Sequence, residues 1–152
     1  MPRRTHLTLA TIAAVGSTSA CGFGAVEVEP HTLSPGTEEI CAQLSADVPD
    51  VVSDAVRRNV QDEPDGIVAW GEPPVVLRCG VGLPPEYEPA AVLTEFNGVA
   101  WLPIEGTGGA FFATVDRDPI VEVAVPDAYE PAVVLGDLTR PILDHVPERR
   151  LE

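Results

Sequence analysis

A histidine beside a serine or an acid, a pair of carboxylates, or aromatic side chains around a groove would each give this chain a way to act on a ligand. Its histidines are His6, His31 and His145. His6 falls in an amino-terminal leader, His31 in a Pro/Gly-rich stretch, and His145 near the end of the last expected helix. A histidine in that last position complements the helix dipole, which favours positive charge at the carboxyl end. No Gly-x-Ser-x-Gly elbow signals a Ser–His–Asp set. Asp116-Arg117-Asp118 has the outline of a metal-binding DxD, but lacks the alternating acids, glycine and terminal glutamate of a calcium loop. It reads as an acidic turn. Gly106-Thr107-Gly108-Gly109 lacks the lysine and following helix of a phosphate loop. Glycoside hydrolysis needs two carboxyl groups about 5–10 Å apart, and 24 acidic residues single out no pair. No metal and no cofactor is expected. Two tryptophans remain. Trp70 and Trp101 either fill the core with their indole N–H groups satisfied or, with Arg78 and Tyr87, border a groove for a peptide, glycan or lipid fragment.

The cysteines carry a different chemistry. Arg3 and Arg4 precede a short apolar run from Leu7 to Val15, followed by Gly16-Ser17-Thr18-Ser19-Ala20 and then Cys21. That order is a secretory signal. A transmembrane helix needs about 20 apolar residues, and this run is shorter and diluted by threonine. Thr18-Ser19-Ala20-Cys21 resembles the lipobox of bacterial lipoproteins, in which the cysteine thiol receives a diacylglyceryl group. Thr18 stands where leucine is usual, and simple cleavage after Ala20 is the alternative. Arg3-Arg4 also suggests twin-arginine export, though Thr5-His6-Leu7 continues that motif poorly. An odd number of cysteines in an exported chain requires an explanation. With a lipid on Cys21, Cys41 and Cys79 remain as a disulfide pair in an oxidising compartment, worth roughly 4 kcal/mol by chain entropy. A metal-binding or catalytic cysteine lacks support, because there is no Cys-x-x-Cys.

The formal net charge is −15, and every basic side chain is arginine. Without residues 1–20, which hold two arginines and no acid, it is about −17. Such a surface repels nucleic acid and anionic headgroups, whose binding requires displacement of counterions by Lys or Arg. Nucleic acid is therefore excluded as a partner, while cations and basic partners are not.

The elements that position these residues follow from periodicity. Residues 22–37 read mainly as a tether, with a short strand at Val26-Glu27-Val28. Thr37 opens a helix in which Ile40, Cys41, Leu44 and Val48 share a face until Pro49. A second helix is expected from Asp50 to Val60, with Val52, Ala55, Val56 and Val60 inward. The period then becomes two: Val75, Leu77 and Cys79 share one face of a strand, with Arg78 on the other. If Arg78 is buried, it must be paired. Pro84 to Pro89 is an acidic loop. Asn97-Gly98 predicts a type I′ hairpin that opposes Phe96 to Val99, Thr94 to Trp101 and Leu93 to Leu102. Trp101 and Leu102 then point to opposite faces. Two more strands follow, at Ala110–Val115 and Ile120–Val125. The last helix is expected to start at Asp137 or Thr139, with Pro141 in its first turn.

Cys41, the stretch Trp70-Gly71-Glu72-Pro73-Pro74-Val75-Val76-Leu77-Arg78-Cys79-Gly80-Val81, the hairpin Asn97-Gly98-Val99-Ala100-Trp101-Leu102-Pro103 and the strand Val121-Glu122-Val123-Ala124-Val125-Pro126 occur in that order. Together they resemble an actinobacterial family of exported proteins and lipoproteins classified as domain of unknown function 3515. Arg57-Arg58 resembles that family's paired arginines. The resemblance covers about residues 25–147. It implies an envelope location and the Cys41–Cys79 pairing, and it supplies no catalytic residues.

The resulting expectation is a signal peptide at 1–20, a lipidated amino terminus and tether at 21–36, one α+β domain at 37–147 and a polar tail at 148–152. The domain is expected to hold a mostly antiparallel sheet of about five strands, with the two terminal helices packed on it. Functionally, a non-enzymatic binding or scaffolding module is expected, lipid-anchored at the outer face of the cytoplasmic membrane and engaging an envelope protein or polymer. The alternative is an extracytoplasmic hydrolase acting on envelope polymers through carboxylates.

Overall fold

Thr37 occupies the N-cap position of helix α1 (Glu38–Asp47), and Glu38 and Glu39 lie in the first turn, where the helix dipole favours acids. The computed structural model describes residues 24–33, 35–88 and 90–149. Cys21 and the signal segment lie outside the described residues. Cys41 and Leu44 are the buried residues of α1.

After Pro49 the chain does not form a second helix. It makes a hairpin of β1 (Val51–Val52) and β2 (Ala55–Arg58), turned by Ser53 and Asp54 at φ +48° and +64°. Val52 pairs with Ala55 across the turn, and both are buried. Residues i and i+3 on a two-residue hairpin share a face, as they do on a helix, so that spacing fits both. Val56 decides between them: a helix would turn it inward, but it is 65% exposed. The valine-rich composition also favours a strand.

The sheet has eight antiparallel strands rather than about five. To β1 and β2 it adds β3 (Ile67–Trp70), β4 (Val75–Val81), β5 (Thr94–Phe96), β6 (Val99–Gly106), β7 (Gly109–Ala113) and β8 (Ile120–Pro126), in the order β1-β2-β3-β4-β8-β7-β6-β5. Two meanders therefore meet at the central β4–β8 pair. The difference in strand count comes from β1 and β2, read as helix, and from β3, which precedes the Trp70-Gly71 turn. The Asn97-Gly98 hairpin has the expected register at Phe96–Val99 and Thr94–Trp101. Both turn residues have positive φ, +50° and +90°. The ladder begins at Thr94, so Leu93 lies outside it.

Helix α2 (Pro131–His145) begins earlier than expected, with Pro131 in its first turn and Pro141 in its interior. Val134, Leu135, Leu138 and Ile142 form its buried stripe. Each aliphatic side chain buried this way contributes about 1.5–3 kcal/mol. Together α1, α2 and one sheet face enclose the main core, which contains Trp70, Val75, Leu77, Cys79, Trp101 and Val123. The opposite face carries two smaller clusters. Val26 packs with Val60, Ile67, Ala69 and Val76, and Tyr87 and Leu93 pack with Leu102, Ala113 and Ile120.

The segment expected as a tether is docked on the domain from Gly24 onward. Val26 bridges in parallel to Val60, Leu33 packs against the main core, and His31 Nε2 donates to the Cys79 carbonyl at 2.6 Å. Glu148, expected in a polar tail, bridges back to Arg117.

Candidate functional site

Arg57 and Arg58 are neighbours on β2, so their side chains leave opposite faces of the sheet. Arg57 pairs with Trp70 and Arg58 with Ala69 across β3. On the helix side, Arg57 Nη2 donates to the Ser45 carbonyl of α1 at 2.7 Å. On the other side, Arg58 donates to the Gly71 carbonyl at 2.8 Å and to the Gly24 carbonyl at 2.5 Å, and it pairs with Glu72. The edge of the sheet is thereby pinned to α1, to the incoming chain and to the β3–β4 turn.

Between these pins lies a recess of about 750 Å³, within the range of small-molecule sites. The Ser53-Asp54 turn, Arg57, Gly71 and Tyr129 border it, and Gly24 and Ala25 lie at its rim. Gly71 has φ +70°, and a Cβ there would lie 2.2 Å from the Tyr129 hydroxyl oxygen and 2.8 Å from the Ala55 methyl. Only glycine lets Tyr129 close down on the turn. On the far side, the Ser53 backbone N–H donates to Asp137 Oδ2 of α2 at 2.8 Å.

The four residues expected to border a groove are not brought together. Trp70 and Trp101 are fully buried on the helix side. Trp70 Nε1 donates to the Pro49 carbonyl at 2.8 Å, whereas Trp101 Nε1 is buried without a partner among the described residues. Arg78 lies on the opposite face, paired with Glu122 at 3.4 Å, and Tyr87 packs against the Leu102 cluster. The sheet separates the two pairs, so a groove around Trp101 is replaced by aromatic core packing. Burial of that much apolar surface is the stronger driving force for an indole.

Cys41 and Cys79 are disulfide-bonded, with Cα atoms 5.5 Å apart, and join α1 to β4. His145 Nε2 contacts Asp47 Oδ2 at 3.1 Å, linking the ends of the two helices. Asp47 is its hydrogen-bond partner among the described residues, and no serine joins them.

The Asp116-Arg117-Asp118 turn is a clamp. Arg117 is 4% exposed, and it donates from Nη1 to the Val146 carbonyl at 3.1 Å and from Nη2 to the Gly98 carbonyl at 3.3 Å. Burial raises the Asp116 carboxyl above the ordinary carboxylate value, and the Arg117 charge partly offsets this. Among the described residues, no cluster of three His, Cys, Asp or Glu could hold a metal ion. A second recess, of about 700 Å³, lies beside this turn, but its Glu148 leans toward Arg117 and its Arg149 donates to the Arg117 carbonyl.

A family model described as "Protein of unknown function (DUF3515)" matches residues 5–151. The chain belongs to this family. No curated protein and no solved structure matches it. Within this DUF3515 chain, the sequence pointed to Arg57-Arg58 only through the family resemblance. Their place beside a recess depends on the β1–β2 hairpin, whose local signal is the Ser53-Asp54 pair between valine-rich arms. Tyr129 carried no signal, because its role is set by contact with Gly71, distant in sequence. None of the described helices is long and apolar enough to cross a membrane.

Proposed function

We propose that this DUF3515 protein is an exported envelope lipoprotein, held by a lipid on Cys21 at the outer face of the cytoplasmic membrane. There it acts without catalysis as a binding or scaffolding module. The observation that carries this reading is the recess at the β1–β2 edge. Its rim begins at Gly24, only three residues beyond Cys21, so an anchored chain would present it close to the membrane. Its ionic groups are arranged for holding. Arg58 is committed to Gly24, Gly71 and Glu72, and Arg57 is braced on Ser45. The hydrolase alternative requires one carboxyl group free to give up a proton beside a second that acts as nucleophile or base. In this recess Glu72 is already engaged by Arg58, and Asp54 is the other carboxylate.

The test is cross-linking in intact cells followed by purification of the full chain, comparing wild type with Val56→Trp. Val56 borders the recess and is 65% exposed, so the indole fills the space without disturbing the core. A cross-linked envelope protein or polymer found with wild type and lost in the variant supports the module. An identical cross-linking pattern in both, or none in either, overturns it.

A further inference from the structure

We infer that the helix-free face of the sheet docks a basic protein segment at Phe111, through one apolar anchor side chain. This surface shares no residue with the β1–β2 recess. Strand register aligns Ile104 with Phe111, Phe111 with Ala124, Ala124 with Val76 and Val76 with Ala69. Residues directly opposed in a sheet share a face, and Phe112, the next residue of β7, lies in the main core. The row therefore crosses the face that carries no helix. Its two ends are covered. Val26 and Val28 pack with Ala69, Val76 and Ala124, and Tyr87, Ala91 and Leu93 pack in the cluster that includes Ile104. Phe111 belongs to neither cluster and is 39% exposed. Its ring is nevertheless fixed, because a Cβ on Gly106 would lie 2.8 Å from Phe111 Cε2. The ring rests on that glycine.

Beside the ring is a notch of about 140 Å³, bordered by Gly108, Gly109, Phe111, Ala124 and Pro126. Small-molecule sites run to about 300–1,000 Å³, so this one is too small for most of them. It suits a single apolar side chain, the kind of anchor that carries most of the energy of a protein interface. Charge selects what bears the anchor. No basic residue lines the notch. Exposed Glu105 pairs with Ala110, and exposed Asp127 follows Pro126, both of which do line it. On this face Arg78 is already paired with Glu122, and Arg58 with Glu72. With a net charge of −15, a second copy of the chain is repelled on approach, whereas a basic segment is attracted.

The experiment is NMR titration of the isotopically labelled full chain with the peptide Lys-Lys-Leu-Lys-Lys as the probe. Beside it run Lys-Lys-Ala-Lys-Lys, which lacks the anchor, and Glu-Glu-Leu-Glu-Glu, which reverses the charge. The first is expected to shift the amides of Gly109, Phe111 and Ala124 saturably. The alanine peptide should bind at least about tenfold more weakly, the loss expected when one aliphatic side chain is no longer buried, and the acidic peptide should not bind. Phe111→Ser should remove the preference for leucine over alanine, while Leu143→Ser, at an exposed position on α2, should leave it unchanged. If Phe111→Ser fails to fold, the location of the shifted amides in the wild type decides. Equal affinity for the leucine and alanine peptides, shifts that avoid the Phe111 row, or unchanged leucine preference in a folded Phe111→Ser overturns the inference. Sedimentation showing a wild-type dimer that Phe111→Ser dissolves would assign the row to a second copy and overturn it equally.

Discussion

Arg117 Nη1 donates to the Val146 carbonyl at the end of α2, 3.1 Å away, from a side chain almost wholly buried in the β7–β8 turn. A second bond to the Gly98 carbonyl reaches the β5–β6 hairpin. One guanidinium thus joins three segments and satisfies a helix-end carbonyl that has no partner within the helix.

Arg117→Met, which preserves apolar bulk but removes both donors, is expected to cost about 2–4 kcal/mol, since buried carbonyls are left unpaired. Glu148→Ala is expected to change stability by less than about 0.5 kcal/mol, because Glu148 is 80% exposed and its oxygen is 3.8 Å from Arg117. Urea unfolding of the two variants measures both. Equal losses would mean that the ion pair, not the carbonyl clamp, carries the contribution.

Replacing Ser53-Asp54 by Asn-Gly tests the hairpin that stands where periodicity suggested a helix. Asn-Gly suits the positive φ of both positions, so a gain of about 0.5–1 kcal/mol is expected. In a helix interior the introduced glycine would cost about 1 kcal/mol. The sign of the shift in unfolding midpoint separates the two.

The parts of the fold legible in the sequence are those in which a local rule has a single structural solution. Asn97-Gly98 demands a tight turn, and from it the pairing of Thr94 with Trp101 follows. The alternation of Val75, Leu77 and Cys79 put all three on one face of their strand, and they lie together in the main core. Legibility failed where one pattern has two solutions. The Val52/Ala55 spacing fits a helix and a hairpin equally, and Pro141 read as a helix start although Pro131 is the proline in the first turn. The candidate site was the least legible part. Periodicity gives a side chain's face but not what lies across it, so Trp70 and Arg78 could not be seen to lie on opposite sides of one layer.

Asp116 predicts a pH dependence. Burial raises its pKa in the folded protein above the ordinary value of 3.8, although Arg117 opposes the shift. A raised folded-state value means that the folded state binds the proton more tightly than the unfolded chain, so the ionised carboxylate costs stability at neutral pH. That cost is relieved as pH falls through the raised value toward 3.8. Asp116→Asn should therefore be at least as stable as wild type at pH 7, with its advantage shrinking in acid. Urea midpoints of both proteins between pH 3 and 7 measure it, and a parallel pair of curves would contradict the assignment.

Gly71→Ala is expected to destabilise by about 1–2 kcal/mol or more, because the residue has φ +70° and its new methyl would meet Tyr129. Combining it with Tyr129→Ala removes that collision but neither the unfavourable φ nor the contact with Ala55. The double variant should then lose less than the sum of the two single losses, by at least about 0.5 kcal/mol. Strict additivity would show that Tyr129 does not press on this turn.

The three cysteines give a count that tests location and fold together. Cys41 and Cys79 are bonded and fully buried, so a maleimide should not label them in the native protein. Under the proposed lipid attachment the Cys21 thiol is also blocked. Mass spectrometry of protein purified from membranes should find no maleimide adduct without reductant, and two after reduction in denaturant. Cleavage after Ala20 without lipid would instead leave Cys21 as a free thiol and yield one adduct before reduction and three after. Replacing Cys41 and Cys79 together by alanine should leave the adduct count at zero, while lowering stability by about 2–4 kcal/mol as the unfolded chain regains its freedom. A single adduct on unreduced wild type would sink the lipid anchor. The same result would leave the disulfide-stapled domain untouched.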